Sequence, residues 1–193
     1  MYLALEGIDT AGKSTQIERL REAFPDAIIT KEPGGTPAGV KIRDIVLHGD
    51  VASPAAELLL FLADRSEHVE RVIRPHRNGL IISDRSVLSG LAYAMVQKRF
   101  DPAQLVALNR FATDGILPER AVLLRLSEAE LSFRLSQKEH DAIESRGTAY
   151  LLEIQEALVE AADLLGIELT LIDASDSVAS ITEQLITIIK GNQ

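Results

Sequence analysis

Residues 7 to 14 read Gly7-Ile8-Asp9-Thr10-Ala11-Gly12-Lys13-Ser14, a complete G-x-x-x-x-G-K-[ST] phosphate-binding loop. A short apolar run, Tyr2-Leu3-Ala4-Leu5, precedes it, and a helix-like segment from Thr15 to Ala23 follows. The motif has meaning only between a buried strand and a helix, so these residues already demand an α/β architecture. Its glycines let the backbone curl until successive N–H groups face one oxyanion, and the helix start adds its partial positive charge. Lys13 would reach the β- and γ-phosphates, and the Ser14 hydroxyl would join a Mg²⁺ shell. The loop therefore predicts a nucleoside triphosphate site.

The rest of the chain agrees with that architecture. Short apolar runs alternate with longer segments of helical period, the pattern of a parallel sheet covered on both faces. The candidate strands are Tyr2–Leu5, Ala27–Thr30, Leu80–Ser83, Ala121–Leu126 and Ile167–Ile172. Helices are expected over Lys13–Ala23, Pro37–Leu47, Pro54–Val72, Val87–Gln97, Pro102–Thr113, Ser127–Gln137, Tyr150–Leu165 and Ser177–Lys190. Pro37, Pro54 and Pro102 sit where a first helical turn tolerates proline, and Gly166 suits a helix end. No linker or repeat interrupts the 193 residues, which fit one domain. Lys138 to Thr148 is polar and charged with little periodicity, and reads either as a solvated helix–helix loop or as a lid that brings cations over the phosphates.

Composition removes several function classes. A formal net charge of −9 argues against a nucleic-acid partner, whose phosphates select basic surfaces. With no cysteine there is neither a disulfide nor a thiolate metal site. The apolar runs are too short to span a membrane, and Met1 leads directly into the first strand without room for a signal peptide. A soluble cytoplasmic protein is expected. His48, His68, His76 and His140 are scattered without metal-ligand spacing and are read as solvated side chains, and no nucleophile elbow supports hydrolase chemistry.

Three other constellations bear on chemistry. Asp84-Arg85 ends the apolar run Leu80 to Ser83. A carboxylate there reaches the crevice where open α/β sheets bind ligands, and fits the second acidic element that holds Mg²⁺; the plainer reading is a strand-end ion pair. Glu32-Pro33-Gly34-Gly35-Thr36 has the proline and glycine of a type II turn, which could present backbone to a second ligand. Phe61 and Arg65 stand four apart on one helix face, either with the phenylalanine as core packing or as a ring and cationic fork for a nucleobase.

Taken in order, Glu6 to Gln16, Glu32-Pro33-Gly34-Gly35-Thr36, Ile42-Arg43, Leu59-Leu60-Phe61-x-x-x-Arg65, Asp84-Arg85-x-x-x-Ser89-x-x-Ala92-Tyr93 and Leu108-Asn109-Arg110-Phe111-Ala112 closely resemble thymidylate kinases through essentially the whole chain. That resemblance implies a three-layer P-loop fold with a five-stranded parallel sheet and a short lid. It implies phosphorylation of dTMP to dTDP with ATP and Mg²⁺, and a homodimer. Gly7, Ile8, Asp9, Thr10, Ala11, Gly12, Lys13, Ser14 and Thr15 would wrap the ATP phosphates, with Ser14, Asp84 and Asp9 around the metal. Asp9 would also face the acceptor's sugar. Arg85 resembles the acceptor-phosphate clamp, with Arg43 nearby. Phe61 would stack on thymine, Arg65 would bond its edge, and Tyr93 would crowd the sugar 2′ position. Glu32, Pro33, Ser89 and Gly90 would line the same pocket.

The chain departs from the family pattern at its lid. Some members carry an arginine inside the phosphate loop, where this sequence has Thr10. Others carry an Asp-Arg-x-Glu lid motif, which here reads Asp141-Ala142-Ile143-Glu144. Arg134, Lys138 and Arg146 remain as candidates for the catalytic cation, with Arg146 favoured because it lies inside the loop. Ser86 also stands where a tyrosine commonly follows Asp-Arg. A related kinase with another nucleotide acceptor, or a weakly catalytic nucleotide-binding homologue, is the alternative reading.

Overall fold

The computed structural model describes residues 1–49, 51–137 and 147–191. Five strands, β1 (Tyr2–Glu6), β2 (Ile28–Lys31), β3 (Ile81–Asp84), β4 (Arg120–Arg125) and β5 (Glu168–Asp173), form one sheet in the order β2-β3-β1-β4-β5. Every pairing is parallel. Successive side chains of a strand point to opposite faces. Leu3, Ala4 and Leu5 of central β1 are all fully buried, so helices cover the sheet on both sides, as expected.

Eight described helices do the covering: α1 (Lys13–Ala23), α2 (Pro37–His48), α3 (Pro54–His68), α4 (Val87–Val96), α5 (Pro102–Ala112), α6 (Glu128–Leu135), α7 (Thr148–Leu165) and α8 (Val178–Lys190). Local chemistry sets their ends. Thr36, Ser53, Ser86, Asp101, Ser127 and Ser177 each accept a first-turn N–H through a side-chain oxygen. Prolines 37, 54 and 102 open three of these helices, and α7 closes on Gly166 in the left-handed region at φ 71°. In the packing, α4 lies against α7, α1 against α8 and α2 against α3. None of the described helices is long and apolar enough to cross a membrane.

One helix differs from expectation. The periodicity predicts a helix through Val72, whereas α3 ends at His68 and passes into a π turn, Val69–Ile73, and a 3₁₀ turn, Arg74–His76. Pro75 has no N–H for an i−4 carbonyl, and its ring would clash there. Widening the preceding turn relieves that conflict.

The register aligns Leu5 of β1 with Asp84 of β3. Glu6, Asp84 and the loop after β1 therefore meet at the carboxyl edge of the sheet, the usual place for a ligand in this class.

Candidate active site

The loop after β1 has a conformation only a few residue types adopt. Gly7, Thr10 and Gly12 all have positive φ, 152°, 69° and 93°. Gly12 caps α1 in the left-handed region with no side-chain hydrogen bond to the first turn, so that turn's N–H groups lack a side-chain partner. Lys13, the first residue of α1, folds back over the loop, and its Nζ donates to the carbonyls of Gly7 at 2.9 Å and Ile8 at 3.1 Å. Burial, and then the neighbouring Arg85 cation, lower its pKa to about 8, against the pull of Asp9, Asp84 and Glu6. An anion entering the loop would strengthen this ammonium's charge.

Arg85 sits at the mouth of the loop. Its backbone is left-handed at φ 66°, which turns the side chain back toward β1. Nη1 donates to the Gly7 carbonyl at 3.0 Å and to Ser89 Oγ at 3.1 Å, while Nη2 donates to Asp9 Oδ1 at 2.7 Å. The guanidinium also lies 5.9 Å from the centroid of the Tyr93 ring. Burial raises the Tyr93 pKa to about 12, so its hydroxyl stays protonated at neutral pH.

Glu6 joins this cluster although hydropathy and motif reading did not single it out. It is fully buried at the end of β1 and accepts from Ser86 Oγ at 2.7 Å and Ser89 Oγ at 2.6 Å. Because Ser89 gives its proton to Glu6, it has lone pairs left for Arg85. Burial raises the Glu6 pKa, opposed by these hydroxyls, Arg85 and Lys13. Ser86, at the position where tyrosine is common in the resembling family, thus caps α4 and satisfies a buried carboxylate. A lone acid closing an all-apolar strand was the available signal.

The donor set suits Mg²⁺. Asp84 Oδ1 and Thr10 Oγ1 are buried without a hydrogen-bond partner among the described residues. An orphaned carboxylate oxygen in such a place calls for a cation or water. Ser14 is exposed at the start of α1, and Asp9 is part-exposed beside Arg85. Among the described residues no cluster of three acidic or histidine side chains forms a protein-only cage. Mg²⁺ in phosphate sites keeps its waters and takes one or two protein oxygens, so Ser14 and Asp84 are enough.

A second cluster of candidate residues gathers where α3, α4 and the turn after β2 meet. Phe61 is half-buried on α3, with Arg65 one turn on. Arg65 is only 4% exposed: Nε donates to Glu32 Oε2 at 3.0 Å and Nη1 to Asn109 Oδ1 at 2.7 Å. Gly90 of α4 leaves room for this guanidinium, since any Cβ there would run into it. Burial pushes the Glu32 pKa up, but Arg65 and then His68 outweigh it and hold the carboxyl below its ordinary range. The Glu32–Pro33 peptide bond is cis, Gly34 has φ 98°, and Arg43 Nη1 donates to the Pro33 carbonyl at 3.1 Å. Asp64 holds the turn from below, accepting from Gly34 N at 3.0 Å.

Two further placements matter. His68 corrects the expectation of solvated histidines, being fully buried between Glu32 and Thr30, whereas His48 and His76 are exposed. Its position three residues beyond Arg65 on the same face was the missed signal. Of the cation candidates, Arg146 and Lys138 lie outside the described residues, as does His140 and nearly all of the 138–148 segment. Arg134 donates to the Thr10 carbonyl at 3.0 Å, to the Ala174 carbonyl at 2.6 Å and to Glu130 at 2.6 Å. It thus ties α6 to the phosphate loop and to the segment after β5.

Against known proteins, the family model described as thymidylate kinase matches residues 5–185. A thymidylate kinase of Sulfurimonas denitrificans is 59% identical over 186 residues, covering 96% of this chain and 97% of its own. One from Wolinella succinogenes is 53% identical, covering 99% of this chain and all of its own, and one from Aliarcobacter butzleri is 51% identical, covering 96% of each.

Proposed function

The chain belongs to the thymidylate kinase family, and from that premise we propose that it transfers the γ-phosphoryl group of MgATP to dTMP, giving dTDP and ADP. The observation that carries this reading is the position of Arg85, bonded to the phosphate loop through Gly7 and 5.9 Å from the ring centroid of Tyr93 on α4. A group at that junction meets both phosphates of an in-line transfer. ATP lies along residues 7–15, with Lys13 at the β- and γ-phosphates and Mg²⁺ held by Ser14 and Asp84, with Asp9 close by. The thymine stacks on Phe61, presents its edge to Arg65, and has its deoxyribose against Tyr93. Pro33, Arg43, Ser89 and Gly90 complete the wall.

No general base is required. A phosphate monoester has its second pKa near ~6 and is mostly dianionic at neutral pH. The difficulty is to align two repelling anions and neutralise the charge that moves between them. A Mg²⁺ held by Ser14 and Asp84 would supply part of that neutralisation as a Lewis acid. Lys13, Arg85 and a lid cation supply the rest from the protein, and Arg85 must leave Asp9 in part to accept the incoming phosphate. Arg146 is the lid cation in this reading, within one kinase domain spanning 1–193 whose lid is 138–148. The solvent-exposed Leu59 of α3 and Phe111 of α5, 60% and 84% exposed, support a homodimer that buries them.

An acceptor panel tests the assignment. With MgATP held constant, kcat/KM is measured for dTMP, dUMP, dCMP, AMP and thymidine. dTMP should lead, with dUMP about tenfold or more behind, the usual worth of one methyl group in a fitted pocket. Equal rates for dTMP and dUMP, or a preference for another acceptor, would remove thymine as the base.

A further inference from the structure

Behind Arg65 runs a buried polar chain in which Thr30 and His68 take no part in the transfer itself. His68 Nδ1 lies 2.9 Å from Glu32 Oε1, and its Nε2 lies 2.7 Å from the Thr30 hydroxyl. An ionised carboxylate only accepts, so Nδ1 carries the hydrogen and donates. The other Glu32 oxygen takes Arg65 Nε, and Arg65 Nη1 continues to Asn109. The path Thr30–His68–Glu32–Arg65–Asn109 thus joins edge strand β2 to α3 and α5.

A second, independent feature shows that the imidazole's place is built. A Cβ at Gly35 would stand 2.7 Å from His68 Cδ2 and 2.6 Å from the Lys31 carbonyl, so the turn's backbone lies directly on the ring.

The consequence for Arg65 follows from guanidinium geometry. Nε and Nη2 share one edge, and an unconstrained carboxylate takes both as a fork. Here Glu32 gives only one oxygen to that edge, because His68 holds the other. Arg65 Nη2 consequently has no acceptor among the described residues. We propose that His68 is a positioning residue for acceptor specificity, holding Glu32 to a single bond with Arg65 so that the guanidinium keeps a free donor for the pyrimidine edge. This rests on the acceptor site proposed above.

Two conservative variants separate this role from simple core filling. An asparagine amide reaches the place of Nδ1, so His68→Asn retains a donor for Glu32 and loses Thr30. A glutamine amide reaches the place of Nε2, so His68→Gln retains Thr30 and releases Glu32. Steady-state kinetics should show His68→Asn within about threefold of wild type in dTMP KM, and His68→Gln raised about tenfold or more. In both, kcat and the ATP KM should stay within about threefold. Equal dTMP KM values for the two variants, or an ATP KM that moves in parallel, would overturn the role. Should His68→Gln fail to fold, a structure of the wild-type protein with dTMP carries the test, Arg65 Nη2 donating to the pyrimidine supporting the role and Glu32 bonded to both Nε and Nη2 overturning it. A wild-type protein inactive toward dTMP would sink the acceptor assignment itself and this inference with it.

Discussion

Replacing Lys13 with methionine should lower kcat by about 10³-fold or more while leaving the fold at least as stable at neutral pH. The catalytic loss follows from charge. Methionine matches the length of the lysine stem but offers nothing to the γ-phosphoryl group as it passes between nucleotides. Stability should behave differently because Lys13 is only 7% exposed and its ammonium is poorly solvated. Its folded pKa of about 8 lies below the ordinary 10.5, so folding works against the charged form. That cost is fully present below about pH 8 and fades as pH rises toward 10.5. The wild type should therefore gain stability relative to Lys13→Met across that window. Urea unfolding at pH 7 and pH 10, beside single-turnover assays, reads both effects. A variant with near-wild-type kcat would remove Lys13 from the chemistry, and a large loss of stability at pH 7 would mean the ammonium mainly holds the loop together.

Arg85→Ala should reduce kcat/KM for dTMP by about 10³-fold, with the dissociation constant for MgATP changed only a few-fold. The guanidinium gathers Gly7, Ser89 and Asp9 through two nitrogens, a fork that a single ammonium cannot reproduce. Arg85→Lys should consequently recover little of the activity. Asp9 is 30% exposed, so its carboxylate remains solvated once the partner is gone and the loop should hold its shape. Titration calorimetry with MgATP and initial-rate assays with varied dTMP separate the two ligands. Loss of ATP binding in step with dTMP turnover would indicate a structural prop for the loop.

Much of this molecule was legible in its sequence, and the exceptions share a cause. The phosphate loop is a local device, set by glycines and a lysine at fixed spacing, and it folds as its spacing demands. The central strands were legible because both faces of the sheet are covered there, which makes them continuous apolar runs. Their ends were not. Strands β1, β2, β3 and β5 each continue one residue past the apolar run, to Glu6, Lys31, Asp84 and Asp173. Polar residues there pair in the ladder at the carboxyl edge of the sheet, and hydropathy reads them as loop. The buried network around Arg65 was harder still. Glu32 and His68 stand 36 residues apart, and nothing in periodicity announces that one will hold the other. The resemblance to a kinase family pointed to Phe61 and Arg65 without the histidine that bonds Glu32 behind Arg65.

A structure of the protein with dTMP bound tests the placement of the acceptor most directly. The pyrimidine should stack on the Phe61 ring with its edge on the Arg65 guanidinium, and the phosphate should displace Asp9 from Arg85. Density for dTMP in any other hollow, or a phosphate that leaves the Arg85–Asp9 pair intact, would contradict the acceptor site described here.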